Sequence, residues 1–349
     1  MLAATIKAEA RRLGFYACGI SRAEAVDPAT ACAYRDWIAC GCHASMAYLA
    51  NNIDKRLDPL LLMPGVQSIV SVAFSYAPSA AIAPSRPQIA KYALGADYHD
   101  FMRIRLHALA AAVGFGRDAY RAFCDTAPVL ERYWAVRSGI GWVGRNRQLI
   151  IPGAGSMFFL GELFLPVALP PDAPVPSRCG NCTACLRACP TGALCESVAS
   201  AVSPASASAC APSAPVGGGN MPSTSPFGDA YGVTFDSRRC LSYLTIEHRG
   251  DIPPSLASCL GNTIYGCDRC LDACPHNRRA VPNDSPELRP REELLSMTRE
   301  RWLSLDEDDY RRLFKGSAVK RAKYNGLMRN IRAALGAPDS PSDTSPTQP

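Results

Sequence analysis

The 349-residue chain is long enough to bury a substantial core and to divide into two or more domains. Hydrophobic residues make up 48%, which excludes a wholly disordered polymer, and a formal charge of +6 admits a polyanionic partner wherever basic residues gather. No apolar run reaches transmembrane length and the N-terminus reads as neither a signal peptide nor a twin-arginine leader, so a cytoplasmic protein is expected, its 16 cysteines thiols or metal ligands rather than disulfides.

Ile6, Ala10 and Leu13 mark a short amphipathic helix that stops at Gly14, and a strand follows around Phe15–Ile20. SIVSVAFSY (Ser68–Tyr76), bounded by Pro64-Gly65 and Pro78, reads as a buried strand. Asp100–Gly114 has helical spacing, and RQLIIP and SMFFLGELFL (Ser156–Leu165) read as two strands joined through GAG. Strands alternating with helices over residues 1–175 predict an α/β or α+β domain whose mixed or mostly parallel sheet is covered by helices. Residues 195–234 are Ala, Ser, Pro and Gly with almost no charge, a composition predicting a disordered insertion; 338–349 reads as a disordered tail. A helix is expected in RRCLSYLTIEHRGDIP, breaking before Pro253, and further helices in REELLSMTRERWLSL and AVKRAKYNGLMRNIRAAL. The expected organisation is therefore 1–175, a ferredoxin-like unit at 176–285 interrupted by the insertion, and a basic helical segment at 286–337.

CGNCTACLRACPTGAL (Cys179–Leu194) spaces four cysteines x2, x2 and x3, with Pro190 after the last. CDRCLDACP adds Cys267, Cys270 and Cys274 before Pro275, and Cys240 lies upstream in RRCLSY. These eight cysteines are what two [4Fe–4S] clusters require, and in two-cluster proteins the cysteine before the proline ligates the other cluster. Cys179, Cys182, Cys185 and Cys274 are thus expected on one cluster, and Cys189, Cys240, Cys267 and Cys270 on the other. Cys240 is the least constrained, because the insertion places it 51 positions after Cys189. Zinc is the competing reading of CxxC pairs. The other cysteines, including those of ACGCH (Ala39–His43), lack such spacing and read as ordinary thiols. There is no GxGxxG after a strand and no phosphate-binding P-loop.

Cys124–Leu165 (CDTAPVLERYWAVRSGIGWVGRNRQLIIPGAGSMFFLGELFL), CLSYLTIEHRGDIP with GNTIYGCDRC, and NNIDKRLDP (Asn51–Pro59) join the cysteine runs in a close resemblance to the epoxyqueuosine reductases, over roughly residues 1–194 and 235–335. The resemblance implies reduction of epoxyqueuosine to queuosine at the tRNA wobble position, the last step of queuosine biosynthesis. It implies an N-terminal corrinoid-binding domain holding base-off cobalamin beside two [4Fe–4S] clusters, fed by an unidentified low-potential electron donor. By position in DTAPVLER, Asp125 matches the family's proton donor, a carboxyl expected to keep its proton at neutral pH among apolar groups. From the residues alone it could equally cap a helix starting near Pro128. Arg56, Asn146, Ser242, Cys267 and Asp268 are the implied cofactor contacts. A surface salt bridge is the other reading of Arg56, and a glycine-rich turn (Gly139, Gly141, Gly144) that of the Asn146 segment.

From Arg311 to Leu335 there are eight Lys and Arg and no acid, a run suited to a phosphate backbone, with Lys320, Arg321 and Lys323 as tRNA contacts; an ordinary basic helix face is the alternative. Trp142 and Tyr98 are candidates to stack the splayed base. The insertion is longer than the family leads one to expect, and the C-terminal helical repeats of many relatives are not in this sequence. A monomer is expected. The rival readings are a reductive dehalogenase-like corrinoid enzyme, a ferredoxin-like electron carrier, and a tRNA binder whose clusters are structural.

Overall fold

The computed structural model describes residues 1–196 and 233–336. The expected disordered insertion and tail lie outside these residues, apart from the insertion's ends, where Leu194–Glu196 pairs antiparallel with Val233–Phe235. The chain therefore leaves and re-enters the fold at one two-stranded ladder.

The first half runs α1 (Leu2–Arg12), β1 (Ala17–Arg22), α2 (Pro28–Ala39), β2 (Ser68–Ser75), α3 (Tyr98–Ala112), β3 (Arg121–Phe123), α4 (Glu131–Arg137) and β4 (Phe158–Leu165). Asp27 caps α2 by accepting from the Thr30 amide at 2.9 Å, and Asp97 caps α3 through the His99 amide at 3.1 Å. The four strands form one sheet in the order β1-β2-β4-β3, with Ile20 opposite Val70 and Ser71 opposite Glu162. Every neighbour in this sheet is antiparallel, so the mostly parallel alternative is not found. The parallel pairing among the described residues joins the short strands Gln88–Ile89 and Thr263–Tyr265. The physical reason is burial on both faces: every residue of β2 is buried. A strand covered on both sides reads as a continuous apolar run whatever its direction.

Alternate residues of β2 serve two cores. Val70, Val72 and Phe74 pack with α1 and α3 through Ile6, Ala10, Met102 and Leu106, whereas Ile69 faces Tyr34, Tyr133 and Trp134 of α2 and α4. Gly161 of β4 lets α3 approach closely, because a Cβ there would stand 3.0 Å from Leu106 Cδ1 and 3.2 Å from Met102 Cε.

The cysteine-bearing half has only short helices: α5 (Ala184–Arg187), α6 (Leu241–Ile246) and α7 (Arg269–Asp272), with α5 and α7 packed together. REELLSMTRERWLSL is two helices, Glu292–Ser296 and Arg299–Leu303, because Thr298 accepts from the Arg301 amide and caps the second. The last expected helix begins as a 3-10 turn (Ala318–Ala322) and becomes α8 (Lys323–Leu335). Buried Asn330 of α8 donates to the carbonyls of Thr245 at 2.7 Å and Ile264 at 3.0 Å, and Arg329 donates to those of Leu244 and His248. The C-terminal helix thus braces the segments flanking Cys240 and Cys267. Among the described residues no helix is long and apolar enough to cross a membrane.

Candidate active site

β3 delivers the chain to Asp125, whose φ of +52° is left-handed, an uncommon conformation for a residue with a Cβ. The Asp125 amide donates to the Glu131 carboxylate, which ties the turn to the start of α4. The helix-cap reading is not found: α4 follows Leu130 without a side-chain cap, and the Asp125 carboxylate faces α3 instead. Its Oδ2 accepts from Tyr98 Oη at 2.5 Å and lies 3.8 Å from His99 Nε2, while His99 Nδ1 is 2.6 Å from Asp97 Oδ1. The Tyr98 ring is held in place by Phe159 on β4, parallel to within 4° at 4.2 Å. The Asp125 side chain is 61% accessible although protein surrounds it on most sides, which places it in an open cleft.

The electrostatics reverse one expectation. Burial works to raise the Asp125 carboxyl, but the hydrogen bonds from His99 and Tyr98 outweigh it and hold the group below the ordinary range. Asp125 is therefore ionised at neutral pH in this geometry. The protons sit beside it. Hydrogen bonds to Asp125 and Asp97 lift His99 to about 9, and burial with the nearby Asp125 charge lifts Glu131 to about 8. Glu162, fully buried on β4 with both carboxyl oxygens unpartnered, is pushed well up by burial and by Glu131. Sequence reasoning missed His99, Glu131 and Glu162; an acid in the middle of an otherwise apolar strand, FFLGELFL, was the signal available for Glu162. An NMR titration of His99 is expected to give a pKa near 9 in the wild type and a lower one, toward the ordinary histidine range, in Asp125→Asn.

A second wall of the cleft carries Arg56 and Tyr48. Arg56 is buried, donates from Nη2 to the Tyr48 carbonyl at 3.0 Å, stands 6.0 Å from the Tyr34 ring centroid and leaves Nε without a partner. The surface salt bridge is not found, because the guanidinium faces aromatic rings and backbone rather than a carboxylate. Tyr48 is 47% exposed, with the Arg321 guanidinium 5.7 Å from its ring centroid and Asp125 close enough to add to its raised pKa, whose first cause is burial. Of the two stacking candidates, Trp142 is fully buried and Tyr98 is packed between Phe159 and His99, whereas Tyr48 is half-exposed.

The expected thiol sets come together. Cys179, Cys182, Cys185 and Cys274 line one cavity with Arg145, Asn146 and His276. Burial pushes Cys185 up to about 11, and Cys179, Cys274 and Cys182 add to the shift, since crowded thiols ionise together only when cations compensate them. Asn146 Nδ2 and the indole Nε1 of Trp142, which packs on Cys274, are buried without partners, two N–H groups of the kind that donate to cluster sulfur. In the second set, Cys240 feels Cys189, and Cys270 feels both Cys267 and Cys240. Gly266, next to Cys267, lets the Ala90 backbone come close: its φ is +68° and a Cβ would lie 2.4 Å from Ala90 Cβ.

Asp268, beside Cys267, accepts from the Lys91 amide at 2.7 Å. Ser242 opens α6 two residues after Cys240. Packing links the second thiol set to the cleft: Cys270 and Tyr76 pack against one small cluster, Tyr76 lies 6.5 Å from Tyr92, and Tyr92 stands edge-on to Tyr98 at 6.1 Å. The basic run divides. Arg312 pairs with Glu293, Arg321 with Glu247 at 2.8 Å, and Arg311 with Glu307, while Lys320 and Lys323 line a cavity of about 350 Å³ with Tyr310 and Tyr324.

Residues 56–126 match the family model described as epoxyqueuosine reductase QueG, DUF1730, and residues 227–277 match the 4Fe-4S double cluster binding domain. An epoxyqueuosine reductase of Cellulophaga algicola is 37% identical over 328 residues, 93% of this chain and 95% of its own length. A crystal structure of epoxyqueuosine reductase with an epoxyqueuosine-modified tRNA-Tyr stem loop superposes with a TM-score of 0.73 at 26% identity, covering 96% of this chain and 80% of that one. A Bacillus subtilis epoxyqueuosine reductase, solved with a catalytic aspartate loop swung out of its active site, gives 0.74 at 25% identity, over 96% and 81% of the two chains. With this identity along nearly its whole length, the chain belongs to the epoxyqueuosine reductase family and is a reductase carrying a double-cluster iron–sulfur domain.

Proposed function

We propose that this chain reduces epoxyqueuosine in the tRNA anticodon to queuosine, the last step of queuosine biosynthesis, with cobalamin and two [4Fe–4S] clusters as cofactors. A tRNA substrate puts the enzyme in the cytoplasm. The observation that carries the reading is the accessible Asp125 carboxylate, fixed by Tyr98, His99 and Glu131 and joined to Cys270 of the second thiol set through Tyr76, Tyr92 and Tyr98, whose rings follow one another at 6.5 and 6.1 Å. When bound, the clusters relay single electrons and the corrinoid supplies low-valent cobalt as the reductant of the C–O bond.

The residues suit these groups. The buried Arg56 guanidinium, with Nε unsatisfied and no carboxylate partner, would meet the polar edge of a corrin, and Ser242 and Asp268 lie where the second cluster and the cleft adjoin. Asn146 stands with the first thiol set, so its free Nδ2 would donate to a cluster and not to the corrin. The ligand sets are Cys179, Cys182, Cys185 and Cys274 for one cluster, and Cys189, Cys240, Cys267 and Cys270 for the other.

Opening the epoxide to an alkene consumes two electrons and two protons and releases water. Asp125 is the group that delivers a proton to the departing oxygen. Because Asp125 is ionised in this geometry, the proton it passes on comes from His99, which holds one at neutral pH with Nε2 3.8 Å from the carboxylate. Closing the cleft over the carboxylate strengthens burial, the influence already acting upward on it.

Lys320 and Lys323 are proposed to hold tRNA phosphates, and Arg321, over Tyr48, to meet the anticodon near the reacting base. Lys320→Glu with Lys323→Glu is expected to weaken stem-loop binding and to reduce the slope of log affinity against log salt by roughly one per lost phosphate contact. An unchanged slope in fluorescence titrations would move the tRNA site elsewhere. The function itself is tested by anaerobic reconstitution with cobalamin, metal analysis and an assay on epoxyqueuosine-containing stem loop. Iron without cobalt, and no product, would turn the reading to an electron carrier.

A further inference from the structure

The two thiol sets differ in what surrounds them. The second adjoins the Asp125 cleft through Tyr76, which packs with Cys270, and then Tyr92 and Tyr98, the rings following one another at 6.5 and 6.1 Å. The first is buried at Cys185 and Cys274 but exposed at Cys182, so its cavity has an open mouth on the protein surface. Cys185 on α5 and Cys270 on α7 sit on helices that pack together, which joins the two sets into one line from this mouth to the cleft.

Among the described residues, the cavity is lined by Arg145, Arg178 and His276 and by no Asp or Glu; the nearest acids along the segments that carry the lining are Asp172, Glu196 and Asp272, outside it. Arg178 lines the cavity itself, and Arg187, Arg278 and Arg279 project from the segments that carry the thiols; all four are exposed. Among the described residues none of the four forms a salt bridge, unlike Arg311, Arg312 and Arg321 of the C-terminal region. Exposed, acid-free arginines around a redox centre produce a positive field that steers and orients an anionic protein.

We propose that this mouth is where electrons enter, and that it docks an acidic one-electron donor protein. The proposal rests on the reading that the eight cysteines hold two [4Fe–4S] clusters. In each docking event the donor's reduced centre loses one electron and the first cluster gains it; two such events, with two protons, balance removal of the epoxide oxygen as water.

The test uses the reconstituted full chain and a reduced, acidic plant-type [2Fe–2S] ferredoxin, a low-potential one-electron donor. Stopped-flow absorbance follows cluster reduction, and calorimetry follows binding of the oxidised ferredoxin. Neutralising Arg178, Arg187, Arg278 and Arg279 to Gln together is expected to slow reduction at least tenfold and to weaken binding in parallel. Reduction by photogenerated deazaflavin radical, small and uncharged, should stay as in the wild type. The wild-type rate with ferredoxin should fall steeply with salt. An unchanged rate in the variant, or a wild-type rate indifferent to salt, overturns the proposal. The salt series needs no variant, so it decides even where the substitutions disturb cluster loading. Iron and sulfide analysis of the same samples separates this from failure of the cluster reading, which would show as protein without iron.

Discussion

Asp125→Asn is expected to keep its iron and cobalt and to lose turnover by about 10²- to 10⁴-fold, the usual loss when a general acid is removed. The amide retains the shape of the carboxyl, so Tyr98 can still donate to its oxygen and the Asp125 amide to Glu131; what disappears is the ability to give up a proton. Metal analysis and a stem-loop assay on the same sample check this, and full activity with normal loading would remove Asp125 from the reaction. His99→Gln divides the role differently. Without the imidazolium, burial is opposed by Tyr98 and the Arg132 charge alone, so the Asp125 pKa rises and the activity profile shifts upward in pH. The signs for stability follow from the same shifts. The Asp125 contribution is present above the ordinary carboxylate value, about 3.9, and is lost as pH falls through the depressed one. The His99 contribution is complete below about 6.5 and is lost as pH rises through about 9. The pair is intact together between roughly pH 4 and 6.5 and weakens above that, with no counterpart in Asp125→Asn.

Which parts of this site could be read from the sequence follows from the range of the forces involved. The cysteine sets were legible because ligation imposes local spacing, x2 and x3, that survives any insertion elsewhere. The Asp125 network was not. Tyr98 and His99 reach Asp125 from the start of α3 and Glu131 from the start of α4, contacts made only after β3 and β4 pair. The basic run was legible as composition, but the pairing of its arginines was not, because the acids that meet Arg312 and Arg321 are Glu293 and Glu247, outside that window. The sheet's direction was hidden for a related reason: β2 is buried on both faces, so the period-2 signal that marks an antiparallel surface strand is absent.

The crossed assignment of the cysteines makes the other large prediction. If the sets are Cys179, Cys182, Cys185, Cys274 and Cys189, Cys240, Cys267, Cys270, then Cys185→Ala and Cys274→Ala, although 89 positions apart, should each lose about four of eight irons and abolish the same reduced-cluster EPR signal. Cys189→Ala, only four positions from Cys185, should abolish the other signal, as should Cys240→Ala across the insertion. An uncrossed arrangement pairs Cys185 with Cys189 and Cys270 with Cys274 in the spectra. The geometry favours crossing, since Cys274 lines the cavity of Cys179, Cys182 and Cys185 while Cys189 acts on Cys240. The two losses also differ in consequence. Removing the first cluster cuts the line at its surface end, so a small reductant able to reach the cleft should restore part of the turnover. Removing the second empties the site adjoining Asp268 and the cleft, where Ser242 and Asp268 would lose their neighbour as well as the electron, so rescue should fail and cobalt loading should fall with the iron.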